Sequence, residues 1–398
     1  MKFFVLVPDG LADDPREELG GKTPVEAAST PNLDRVACAG RVGQVKLIPR
    51  GMPCGSDVAN LAVLGYNPKE HYTGRAPLEA ASLGIRLGPG DWALRANLVT
   101  VSDGTMADYS AGHISTREAT IIIDLLNEKL GTEDLSFHPG VSYRNLLILR
   151  NRPKFRVETV PPHDILGKPI ASHLPRRRDG KMLRELMEAS AQLLAGHEVN
   201  RVRLELGENP ANMIWLWGEG QSPELPSFRD KFGKRAALIS AVDLLKGLAV
   251  SVKMDVIVVP GATGYYDTDY AAKGKYACEA LREYELVFVH VEAPDEAGHD
   301  GDVRKKIAAV EAIDRDILGP VLKWLEECGE PFRVLVLPDH ATPVALRTHT
   351  DVAVPFAMYG TGVESPRKVP FSEAAGKTSD LKIDPGHELM GYFLGLPG

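Results

Sequence analysis

Short apolar runs that break at Pro, Gly or Asp set the pattern of this chain. They are "FFVLVPDG" at 3–10, "VIVVPGATG" at 256–264, "LVFVHVEAPD" at 286–295 and "RVLVLPDH" at 333–340. Runs of this kind fit strands buried on both faces that feed loops at their carboxyl ends. Between and after them lie longer helical patterns, "DVANLAVLGY", "AALISAVDLLKGLAV", "DYAAKGKYACEALREY" and "DVRKKIAAVEAIDRDILGPVLKWLEEC". The alternation predicts an α/β fold, a doubly wound and mostly parallel sheet with helices on both faces.

The centre breaks this rhythm. Its strand candidates, "WALRANLVTVSDG", "YRNLLIL", "RVRLEL" and "NMIWLWG", are separated by long Pro- and charge-rich stretches such as "VETVPPHDILGKPIASHLPRRRDGK". Both ends of the chain supply strand–helix units and the middle does not, which predicts an insertion. The expected division is a main domain of residues 1–84 and 232–398, with 85–231 forming a smaller inserted α/β domain.

Charge and cysteine content narrow the function. A formal net charge of −8 argues against general nucleic-acid binding, so an anionic ligand needs a local basic site. No apolar run approaches the ~18 residues of a membrane span, and "MKFFVLVPDG" is too short for a secretory signal. Cys38, Cys54, Cys278 and Cys328 are scattered without a C-x-x-C pair, which suits a cytoplasmic protein without disulfides or thiolate metal sites. Cys54 has no basic neighbour to activate its thiol. No G-x-x-x-x-G-K-[ST] phosphate loop occurs.

Candidate chemistry gathers at the strand ends. "LVPDG" delivers Asp9, "VEAPDEAGH" delivers Asp295 and His299, "VLPDH" delivers Asp339 and His340, and "RTHTD" adds His349. Ligands of open α/β sheets bind at the carboxyl ends of strands, so these side chains are expected to converge. Oxygen and imidazole donors without Cys suit Mn²⁺, Zn²⁺ or Mg²⁺, and two-metal centres of this kind serve phosphoryl transfer. Ser56, in "MPCGSDVANLAVLGYNP", reads as a helix N-cap. A divalent ion on its oxygen would also make it a nucleophile, with helix-start amides facing a phosphoryl group.

Asp9, Ser56, Asp295 with His299, Asp339 with His340, and His349 follow the order found in the alkaline phosphatase superfamily of binuclear metalloenzymes. "VPDGLADDP", "TPNLDRVACAG", "GSDVANLAVLGYNP", "YTGRAPLEAASLG", "DYSAGHISTREA", "PGATGYYDTDY", "APDEAGHDGD" and "PDHATP" resemble, more closely, the archaeal-type cofactor-independent phosphoglycerate mutases. The resemblance runs from the first strand to "GHELMGYFLG". It implies an alkaline phosphatase-like main domain carrying two divalent metals, Mn²⁺ first, with Zn²⁺, Co²⁺ or Mg²⁺ as alternatives. One metal would be held by Asp295, His299 and His349, the other by Asp9, Ser56, Asp339 and His340.

The implied reaction belongs to glycolysis and gluconeogenesis. It interconverts 3-phosphoglycerate and 2-phosphoglycerate through phosphorylated Ser56, without free 2,3-bisphosphoglycerate. The inserted domain would act as a lid that excludes water, which distinguishes a mutase from a phosphatase. The alternative is a related phosphotransferase or phosphatase, for example a homoserine-kinase-like enzyme, with the same metals and another acceptor.

Substrate phosphate and carboxylate need cations, for which Arg75, His113, Arg144 and Lys273 are the candidates. His113 resembles a lid histidine of the larger cofactor-independent mutases. The paired arginines of those enzymes have no counterpart, since the analogous strand reads "MIWLWGEG". His163, Asp164 and Asp108 are candidates either for proton transfer or for ordering loops.

Overall fold

The first apolar run forms the strand about which the larger sheet is ordered. The computed structural model describes residues 1–395. In chain order its strands are β1 (Lys2–Pro8), β2 (Arg41–Val45), β3 (Trp92–Ser102), β4 (Thr105–Asp108), β5 (Leu135–Val141), β6 (Arg144–Leu149) and β7 (Met213–Gly220). They continue as β8 (Ala236–Ile239), β9 (Asp255–Ile257), β10 (Leu286–Val291), β11 (Phe332–Val336), β12 (Val354–Gly360) and β13 (Lys382–Ile383).

The chain divides into two compact units, Met1–Tyr72 with Glu224–Gly398, and Thr73–Pro223. In the first, eight strands form a sheet ordered β13-β2-β12-β11-β1-β10-β8-β9. It is parallel except around β12, which runs antiparallel to both β11 and β2. Both faces of β1 are buried, as continuous apolar strands require. Phe4 and Leu6 join a core with Val310, Ile313 and Leu322 of the helical segment 303–327, and Phe3 meets Phe393 edge to face at 5.6 Å.

β1 lies between β10 and β11, with Val5 in register with Phe288 and Leu335. Three parallel strands therefore end side by side, and the residues that follow them are brought together by the sheet itself.

The second unit is built differently. Long β3 pairs with β4, β6 and β7, β5 pairs with β6, and every one of these pairings is antiparallel. Helices Thr116–Leu130 and Gly180–Leu194 bury Ile122, Ile123, Leu183 and Met187 in the same core as Trp215 and Leu216.

Three sequence expectations are corrected. "RVRLEL" lies in helix Glu198–Glu205 and the turn after it, not in a strand. Its two-residue alternation does not sort the side chains: Val202, Leu204 and Leu206 are exposed like Arg201 and Glu205, while Arg203 alone is buried and donates to the carbonyls of Ala111 and Asn209. "AALISAVDLLKGLAV" splits into β8 and helix Asp243–Ser251, because its first apolar residues pair in parallel with β10.

The domain junctions fall at 72/73 and 223/224 rather than 84/85 and 231/232. Helix Arg75–Ser82 belongs to the second unit: Ala76 and Ala80 pack with Ala93 and Ile148, and Arg95 Nε donates to Glu79 Oε2 at 2.7 Å. Segment 224–231 belongs to the first, where the Tyr66 hydroxyl donates to the Pro226 carbonyl.

Candidate functional site

Ser56 begins helix Ser56–Val63, and Gly55 occupies the cap position. The expected capping role is thus not taken by the Ser56 side chain. Its hydroxyl lies 3.2 Å from Asp9 Oδ2 and 3.1 Å from His340 Nε2. One helical turn on, Asn60 Nδ2 donates to the Ser56 carbonyl at 2.9 Å and to Asp339 Oδ2 at 2.7 Å. The other Asp339 oxygen accepts from the backbone N–H groups of Gly10 and His340. Asp9, Asp339 and His340 come together as a buried group capable of holding a metal ion.

The second group is Asp295, His299 and His349. Asp295 and His299 sit one turn apart on helix Ala293–Asp300, immediately after β10. His299 Nε2 is 3.2 Å from Asp295 Oδ2, and His349 Nε2 is 3.3 Å from Asp295 Oδ1. The opposite ring nitrogens each face a carbonyl, His299 Nδ1 that of Arg347 and His349 Nδ1 that of Cys54, both at 3.1 Å. A carbonyl only accepts, so Nδ1 carries the proton in both rings and Nε2 is left to act as a ligand.

The electrostatics ask for cations. Burial, reinforced by Asp339, Glu292 and Asp295, pushes the Asp9 carboxyl well above the usual carboxylate range. Glu292 is pushed up to about 8 by burial and by Asp295. For His299, burial lowers basicity, yet hydrogen bonding and the charge of Asp295 raise it to about 9. Among the described residues, Asp9 Oδ1 and Glu292 Oε2 are buried oxygens without a hydrogen-bond partner. Buried carboxylates persist when paired or coordinated, and this donor set of oxygen and imidazole fits divalent ions. The residues present therefore fit two metal ions.

Several contributors escaped the sequence reading. His290, in the middle of apolar β10, places Nε2 2.9 Å from Asp9 Oδ2, with its other nitrogen 3.4 Å from Ser240 Oγ. With Asp9 and Glu292 it forms a third group of suitable donors. A histidine inside an otherwise apolar parallel strand was the available signal, as was Asn60 inside an apolar helix. Lys273, an expected substrate cation, is buried, with its ammonium 3.4 Å from the His290 carbonyl. Burial lowers it to about 8 against the opposing charge of Glu292.

The remaining expected substrate residues lie in the second unit. His113 is exposed, on a turn where Ala111, Gly112 and His113 all have positive φ. Asp108 holds that turn by accepting from Ser110 N, Ser110 Oγ and Gly112 N, each at 2.7 Å, so its carboxylate orders a loop. Arg144 is exposed at the start of β6, with its guanidinium 5.6 Å from the Tyr143 ring centre. Arg75 opens helix Arg75–Ser82. His163 is exposed beside Trp217, their ring centres 5.3 Å apart, and Asp164 lies 3.8 Å from it.

A serine hydroxyl against one acid-and-imidazole cluster, with a second such cluster beside it at the carboxyl ends of parallel strands, defines an α/β protein whose residues could hold metal ions. Residues 37–200 match the family model described as 2,3-bisphosphoglycerate-independent phosphoglycerate mutase. A Methanosarcina barkeri protein of that name is 50% identical over 395 residues, covering 99% of both chains. A Methanothermobacter thermautotrophicus protein, named as the second such mutase, is 49% identical over 98% of this chain and 96% of its own. A solved Thermoplasma acidophilum structure titled cofactor-independent phosphoglycerate mutase is 27% identical, with a TM-score of 0.66 and full coverage of both chains. A Pyrococcus horikoshii structure is 30% identical, with a TM-score of 0.84, covering 99% of this chain and 96% of its own. The chain belongs to the family of 2,3-bisphosphoglycerate-independent phosphoglycerate mutases.

Proposed function

We propose that this protein interconverts 3-phosphoglycerate and 2-phosphoglycerate with Ser56 as the phosphoryl carrier. The observation that supports this most is the placement of the Ser56 hydroxyl against Asp9 and His340, next to the Asp295, His299 and His349 cluster. Asp9, Ser56, Asp339 and His340 would hold one divalent ion, and Asp295, His299 and His349 the other. When bound, such ions stabilise the serine alkoxide and the charge on the transferring phosphoryl oxygens. Mn²⁺ is the first choice for an oxygen-rich set with imidazoles.

The Ser56 oxygen attacks phosphorus, and the bond from phosphorus to the glycerate oxygen breaks. Its hydroxyl proton goes to the glycerate alkoxide, and Asp9 Oδ2 is the acceptor in hand for the first part of that journey. The glycerate then reorients, and its neighbouring hydroxyl attacks the phosphoserine, restoring Ser56. Asn60 keeps helix and metal-site geometry together by bonding Ser56 and Asp339 at once. Lys273 supplies the buried positive charge for the phosphoryl group, while His113, Arg144 and Arg75 are assigned to the substrate's anionic groups. The second unit is assigned the lid role, because a phosphoserine open to water would hydrolyse. Unpaired cysteine thiols are consistent with a cytoplasmic setting.

The test is an assay of Mn²⁺-loaded protein with 3-phosphoglycerate, following 2-phosphoglycerate through enolase without added 2,3-bisphosphoglycerate. Formation of 2-phosphoglycerate supports the assignment. Release of inorganic phosphate alone points to the phosphatase alternative, and inactivity with Mn²⁺, Co²⁺, Zn²⁺ and Mg²⁺ overturns it.

A further inference from the structure

Thr342 stands between the two ligand clusters and touches both. It follows His340 by two residues and is fully buried. Its Oγ1 lies 2.5 Å from Asp295 Oδ1, in the cluster with His299 and His349, and 3.2 Å from His340 Nδ1, in the cluster with Asp9 and Asp339. We propose that Thr342 is a positioning residue that couples the two metal sites by fixing the tautomer of His340. The inference rests on the metal reading above and assigns a role to a side chain outside both ligand sets.

A threonine hydroxyl has one hydrogen to give, and an ionised carboxylate can only accept. The Asp295 contact therefore takes the Thr342 hydrogen, so the contact with His340 requires Nδ1–H as donor and Thr342 Oγ1 as acceptor. Thr342 thereby fixes a proton on Nδ1 and turns Nε2 toward Ser56 Oγ at 3.1 Å and Asp9 Oδ1 at 3.3 Å, where a bound cation would meet its lone pair. The opposite tautomer would leave two acceptors facing each other at Nδ1 and a proton where a metal ligand is needed.

The backbone holds Thr342 in place for this task. Its N–H approaches the carbonyls of Gly10 and Ala12, and its own carbonyl accepts from the Lys306 ammonium at 2.8 Å. That ammonium also donates to Asp13 Oδ2 at 2.8 Å, with both side chains buried. Space has been cleared on two sides. A Cβ on Gly10, which has φ of +61°, would lie 2.6 Å from Thr342 Oγ1, and one on Gly298 would lie 2.3 Å from the Thr342 carbonyl oxygen.

The test compares wild type, Thr342→Val and Thr342→Ser as full-length chains stripped of metal by chelation. Mn²⁺ binding is read by calorimetric titration, and the His340 tautomer by ring ¹⁵N shifts in metal-free protein. The expected result is loss of about tenfold or more in affinity at both sites for Thr342→Val, with loss of the Nδ1–H preference. Thr342→Ser, which keeps the hydroxyl, is expected to restore both readouts. Wild-type affinity at either site in Thr342→Val, an unchanged tautomer, or a defect that Ser does not rescue would overturn the proposal. If Thr342→Val fails to fold, Thr342→Ser still decides through the ring shifts, because a His340 without the Nδ1–H tautomer contradicts it. Failure of wild type to bind Mn²⁺ at all would instead remove the metal reading on which the proposal stands.

Discussion

His299 and His349 turn their Nε2 atoms toward each other at 2.8 Å, while each ring is held from behind by a backbone carbonyl. Two lone pairs cannot face each other this closely without a shared proton or a cation, and Asp295 supplies the negative charge that favours either. This pair predicts how metal binding depends on pH. The basicity of His299 is raised to about 9, so protons compete with metal below that value and are displaced on binding. Mn²⁺ affinity of chelator-stripped protein should rise with pH toward about 9 and then level off. Calorimetry in buffers of differing ionisation enthalpy should show proton release near neutral pH, and binding without proton release would contradict the assignment.

Ser56 and Asp339 should separate chemistry from metal binding. Ser56→Ala removes the proposed nucleophile but leaves the carboxylates and imidazoles, so bound metal should persist while turnover falls by at least about 10³-fold. Asp339→Asn removes a ligand charge, so metal affinity should drop by about tenfold or more together with turnover. Metal analysis after gel filtration, alongside the enolase-coupled assay, distinguishes the two patterns.

The buried pair of Lys306 and Asp13 anchors the segment that carries His340 and Thr342. Asp13 Oδ2 also accepts from Val344 N at 3.1 Å, and Asp13 N donates to Glu373 Oε1 at the same distance. Lys306→Met leaves the Asp13 carboxylate unpaired in the interior, which costs on the order of 3–5 kcal/mol. Denaturant titration should show that loss. The double variant Lys306→Met with Asp13→Leu should recover part of it, because both charges are then gone.

Legibility in the sequence followed the physics of each feature. Asp9, Asp295 and Asp339 were readable because parallel strands β1, β10 and β11 announce themselves as apolar runs and end at the same edge of a sheet. His299 and His340 came with them through short local spacing. Residues 202–206 were not readable, because their alternation of apolar and charged types is the strand pattern, and the buried Arg203 network overrides it in a helix. Ser56 illustrates a subtler limit: its place at the helix start was visible, but that Gly55 caps and Ser56 turns to Asp9 depends on a neighbour 47 residues away. Asn60 and Thr342 lie inside the motifs around Ser56 and His340, but the contacts that give them a role appear only once the two clusters are assembled.

Passage of a phosphoryl group through Ser56 is read by quenching Mn²⁺-loaded protein in acid during turnover of 3-phosphoglycerate and sequencing its peptides by mass spectrometry. Phosphate is expected on Ser56 in wild type and not in Ser56→Ala, with 2-phosphoglycerate formed only by the wild type. Continued formation of 2-phosphoglycerate by Ser56→Ala would contradict passage through Ser56.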